Sequence, residues 1–239
     1  MFQHSYAITD LTPASVDSLQ PLTRIIGMKH DEATRAVLTV GHGRGFVVEH
    51  KIRQGTERLV ITAARCLPDF TPRNSFAYTE ERTYKTLLGP LGADATVWAE
   101  CLFVDPISDI AVLGEPDSQL LGDECEAYRK LVDGAATLRI VDAPEDGSAM
   151  MLSIDQRWLP CRVWHYDGPL WTSDAKTVIG MSGSPIITED DLAIGVVCTG
   201  LEMMDLMQNH RITQEPFSDG PHARLMRSLP AWILAAAVA

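Results

Sequence analysis

The sequence predicts an all-β protein that finishes in a helix. Short runs rich in Val, Ile, Leu and Thr recur along the chain, and Gly, Pro and Asp punctuate them. Only the last stretch spaces its apolar residues as a helix does. The first strands are expected at 37–40, 46–50, 59–62, 96–103 and 110–113. A polar stretch then runs from Gly114 to Gly134, with a short helix expected at 124–131, and links the two halves. A second series of strands is expected at 137–141, 150–154, 158–165, 185–188 and 193–198. From His222 to about Ala237 the apolar spacing and the Ala-rich end predict a terminal helix, interrupted or restarted at Pro230.

At 239 residues and 46% hydrophobic, the chain has enough apolar surface for a substantial core. It shows no internal repeat or low-complexity tract. The formal net charge of −12 argues against nucleic acid, whose phosphates need clustered Lys and Arg. Cys66, Cys101, Cys125, Cys161 and Cys198 are an odd, widely spaced set without a Cys-x-x-Cys pair, so free thiols in a reducing compartment are expected. The first residues show no basic segment followed by an apolar run, which points to the cytoplasm. The apolar end, 232–239, is far shorter than the roughly 20 residues that span a bilayer, so no membrane contact is expected.

Neither a cofactor nor a metal is expected. No His, Cys, Asp and Glu spacing matches a metal site. Gly41-His42-Gly43-Arg44-Gly45 is rich in glycine but lacks the spacing of a phosphate loop, and reads as a strand where backbones approach closely.

The chemistry-bearing segment is Gly180-Met181-Ser182-Gly183-Ser184-Pro185, in which a serine sits between turn-forming residues just before an apolar strand. Upstream stand Val60-Ile61-Thr62-Ala63-Ala64-Arg65-Cys66-Leu67 and Asp105-Pro106-Ile107-Ser108-Asp109-Ile110-Ala111-Val112-Leu113. In this order the three segments resemble the base, orienter and nucleophile segments of the trypsin-like serine peptidases. The resemblance spans about residues 22–238. It implies two six-stranded antiparallel β-barrels, the first at about 22–118 and the second, with the C-terminal helix, at about 135–238. Residues 1–21 would then be an N-terminal extension.

By position the resemblance makes Ser182 the nucleophile and Asp109 the orienting carboxylate, and gives the oxyanion hole to the backbone N–H groups of Gly180 and Ser182. At the histidine position this chain has Arg65. A guanidinium stays protonated at neutral pH and only donates, so it cannot serve as general base. It can pair with Asp109. The resemblance therefore implies a pseudopeptidase that binds a polypeptide partner. Two rivals stand beside it: an active endopeptidase with a non-standard base, such as His42 or one supplied by an induced rearrangement, and an accessory subunit in a larger bacterial defence or signalling assembly.

Further positions follow from the resemblance. Lys176 falls at the floor of the specificity pocket and Cys198-Thr199-Gly200 along its wall, an arrangement that would suit an acidic side chain. The residue opposite Cys66, which in secreted relatives is a disulfide-forming cysteine, matches His42. Arg24-Ile25-Ile26-Gly27 resembles an activation site, yet the residue before the serine is Met181 rather than aspartate, so a new ammonium would find no partner there.

Overall fold

The computed structural model describes residues 30–52, 55–68, 83–116, 121–198 and 219–234. The expectations for residues 1–21 and for Arg24-Ile25-Ile26-Gly27 lie outside these residues.

A helical turn, α1 (Asp31–Arg35), leads into β1 (Val37–Val40), β2 (Gly43–Ile52) and β3 (Gly55–Thr62), then β4 (Thr83–Pro90), β5 (Val97–Asp105) and β6 (Ile110–Gly114). These six close an antiparallel barrel in the order β1-β2-β3-β6-β5-β4. Phe46, Leu59, Ile61, Leu88, Ile110 and Leu113 are fully buried in it. Each such side chain contributes about 1.5–3 kcal/mol relative to exposure. The first six residues of β2 are buried without alternation, because the strand is covered on both faces. One of its edges also serves the chain beyond the barrel, since Val47 donates to Ala36 O and accepts from Leu138 N–H.

The linking helix α2 (Gly122–Asp133) spans two residues more at each end than expected. It lays Tyr128 and Val132 on the first barrel, and the Tyr128 hydroxyl donates to Arg58 O at 3.1 Å.

The second half contains β7 (Arg139–Ile140), β8 (Asp146–Leu152), β9 (Trp158–Trp164), β10 (Leu170–Ser173), β11 (Pro185–Ile187), β12 (Leu192–Val196) and β13 (Asp219–Arg224). The order β11-β8-β9-β10-β13-β12 closes through β11–β12 pairing into a second six-stranded antiparallel barrel, and β7 adds to β12 in parallel at its edge. The interior holds Met151, Val163, Leu170, Met181, Ile186, Ile194 and Val197. The predicted double-barrel fold is the observed one.

One element is corrected. His222–Arg224 belong to strand β13, not to a terminal helix. Their pairing with β10 and β12 closes the barrel, and that gain outweighs a local helical pattern. Helix follows only as two short turns, α3 (Leu225–Ser228) and α4 (Ala231–Leu234), separated at Pro230. Residues 235–239 lie outside the described residues.

Candidate functional site

The end of β3 and the start of β6 are neighbours, with Thr62 opposite Ala111. Just past them, a single 3-10 turn (Ala64–Cys66) carries Arg65, and the tight turn before β6 carries Asp109. Asp109 has a φ of +53°, a left-handed conformation that a short polar side chain tolerates. Its carboxylate accepts the Arg65 backbone N–H at 2.9 Å and the Arg65 Nε–H at 2.6 Å. Its carbonyl accepts from Ala64 N–H at 3.2 Å and from the Cys198 thiol at 3.3 Å. Burial pulls the Asp109 carboxyl above the usual aspartate range, and the Arg65 guanidinium opposes that pull.

The Asp109 side chain is 16% exposed and that of Arg65 is 40% exposed. The pair is therefore open to solvent on the arginine side and adds about 1 kcal/mol or less to folding. Its main effect is to occupy the Asp109 carboxylate with two donors from Arg65.

The loop that carries Ser182 is fixed from both barrels. Met181 is buried in the core of the second, where an aspartate would be needed to receive a chain-terminal ammonium. Gly183 N–H donates to Val197 O at 2.8 Å, and Ser184 N–H to Met181 O at 2.9 Å. From the first barrel, Arg44 N–H donates to Ser182 O at 2.8 Å and the Cys66 thiol to the same oxygen at 3.4 Å. Gly180 has a φ of +92°. The backbone N–H groups of Gly180 and Ser182 donate to no described residue. The half-buried Ser182 hydroxyl also has no hydrogen-bond partner among the described residues.

Arg44 is a site residue that the sequence reading missed. The residue is 5% exposed, and its guanidinium donates to Ser153 O at 2.8 Å, Leu152 O at 3.2 Å and Ile154 O at 2.9 Å, so it straps β2 to the turn after β8. Burial lowers its pKa, with Asp155 opposing. The available signal was an arginine inside an otherwise apolar, glycine-flanked strand.

The glycines around Arg44 explain themselves by close approach. A Cβ on Gly43 would lie 2.5 Å from both the Cys66 Sγ and Ser182 O. This corrects the disulfide reading: the residue facing Cys66 is Gly43, and His42 is one place off. His42 is exposed and makes no hydrogen bond to a described residue, Ser182 included. All five cysteines are free thiols, and burial pushes the Cys66 thiol up to about 11.

In the region expected to form the pocket, Lys176 is exposed between buried Ala175 and Thr177. Cys198 is buried beside Asp109, while Thr199 and Gly200 lie outside the described residues. The structure adds His222 here. It is buried, accepts from Cys198 N–H through Nδ1 at 3.3 Å and faces the Thr172 hydroxyl through Nε2 at 3.2 Å. Burial pushes its pKa down to about 4, so the ring is neutral at pH 7. Among the described residues no cluster of His, Cys, Asp and Glu could hold a metal ion, and no helix is long and apolar enough to cross a membrane.

No family model matches the chain, and neither does any curated protein. Solved structures of similar shape include a human pathogenic astrovirus serine protease, at 15% identity and a TM-score of 0.46, covering 82% of this chain and 94% of the protease. The inactive form of the Rv3671c protease is similar at 15% identity and a TM-score of 0.49, covering 96% of this chain and 100% of that one. An inactive serine-to-alanine mutant of Rv3671c from M. tuberculosis gives 15% identity and a TM-score of 0.47, with 88% and 90% covered.

Proposed function

We propose that this chain is a trypsin-like serine peptidase homologue that has lost its general base and acts by binding polypeptide in its cleft. The observation that carries this is the Arg65 Nε–H donating to Asp109 at 2.6 Å. A neutral imidazole there would present a lone pair to the serine. Arg65 presents only donors, and Ser182 keeps its proton.

The remaining parts support binding. The double barrel, the fixed nucleophile loop and the free N–H pair of Gly180 and Ser182 are what a polypeptide carbonyl needs. Exposed Ile154, Val178 and Ile179 flank that pair and offer apolar surface to a bound chain. The five free thiols support a reducing, cytoplasmic location.

A panel of peptide esters spanning acidic, basic and apolar side chains tests the reading. The wild type should show the same turnover as Ser182→Ala on every member. Ester hydrolysis by the wild type that Ser182→Ala removes would refute it.

A further inference from the structure

We infer that the cleft selects the free α-carboxylate at the C-terminal end of a polypeptide over an internal peptide bond. This deepens the proposed function and rests on it. Arg65 spends its backbone N–H and its Nε–H on Asp109. The terminal guanidinium nitrogens make no hydrogen bond to a described residue, and the side chain is 40% exposed. Their donors remain available to a ligand.

A second set of donors lies on the loop that carries Ser182. The N–H groups of Gly180 and Ser182 are unpartnered among the described residues. That loop touches the residue next to Arg65, since the Cys66 thiol donates to Ser182 O at 3.4 Å. Gly43 packs against this contact, with no room for a side chain beside the Cys66 Sγ and Ser182 O.

The donors discriminate between ligands by hydrogen-bond polarity. An internal peptide bond brings one carbonyl oxygen for the N–H pair, but it turns an N–H toward Arg65, where donor meets donor. A terminal carboxylate brings two acceptor oxygens, one for the N–H pair and one for the guanidinium. The second contact is charge-assisted and therefore among the stronger hydrogen bonds. Asp109 offsets part of the Arg65 charge, so the selectivity depends on placed donors as well as on net attraction.

Two pools of N-acetylated random hexapeptides, identical except that one ends in a free carboxylate and the other in an amide, test this on the purified full chain. Retention of each pool is measured by affinity selection and mass spectrometry. The wild type should retain the free-acid pool at least about ten-fold better. Arg65→Gln should abolish the preference, and Arg65→Lys, which keeps the charge, should restore part of it. Equal retention of the two pools by the wild type, or a preference that survives Arg65→Gln, overturns the inference. If the pools are retained equally and Ser182→Trp blocks both, polypeptide binding stands and the carboxylate selectivity falls. If neither pool is retained, both fall. The acid-to-amide comparison on the wild type decides the matter even if a variant fails to fold.

Discussion

Arg65→His is expected to give the protein measurable esterase activity. The Asp109 carboxylate already accepts from the backbone N–H and from the side chain of residue 65, so an imidazole Nδ1–H could take the place of the Arg65 Nε–H. That contact fixes the tautomer whose other nitrogen accepts the Ser182 proton. Positioned acid–base catalysis contributes about 10²- to 10⁴-fold, so a gain of at least about 10² over the wild type is expected on the best ester of the panel. Esters are the suitable substrates because their leaving group needs less protonation than an amine. Loss of that gain in Arg65→His with Ser182→Ala would assign it to the rebuilt site. A wild type already as fast as Arg65→His would show that arginine had not silenced the cleft.

The largest effect on stability is expected from Gly183→Ala. The added Cβ would lie 1.8 Å from Arg44 O and 2.6 Å from the Thr62 hydroxyl oxygen, at a φ of +82°. Neither neighbour can yield cheaply. Thr62 already donates to that same Arg44 carbonyl at 2.6 Å, and Arg44 N–H is bonded to Ser182 O. Left-handed strain costs about 1–2 kcal/mol and forced backbone shifts about 1–3 kcal/mol more. Together these give a loss of about 3 kcal/mol, or roughly 6–12 °C in Tm for a chain of this size. Gly122→Ala is the control: it lies at the start of α2 with nothing within 4 Å of the new Cβ, and its change should stay within about 0.5 kcal/mol of zero or be stabilising. Equal melting of the two variants would refute the close approach of the barrels at Gly183.

The sequence disclosed best what is encoded locally. The turns that carry Arg65, Asp109 and Ser182 are short motifs with their own apolar flanks, and the strands beside them follow from composition. What it concealed depends on distant pairing. No strand is expected from the sequence at β4, where Thr86 takes a φ of +49° as the pairing with β5 shifts. The four-residue β10 slips against β13 between Leu170 and Thr172, which hides its alternation. In β13, His222 is apolar in neither type nor neighbourhood by sequence, and only closure of the barrel buries it. Arg44 was hidden for a similar reason, since its partners are carbonyls about 110 residues away and a carbonyl leaves no trace in a side-chain pattern. The one-residue error at His42 arose because glycines fix no facing direction from sequence.

A fluorophosphonate probe reads activation of the Ser182 hydroxyl directly, without any assumption about specificity. Incubation of the wild type with excess probe, followed by intact-mass measurement, should leave the protein unmodified while Arg65→His gains one adduct. A stoichiometric adduct on the wild type that disappears in Ser182→Ala would show that a base other than residue 65 serves the serine, and would contradict the account.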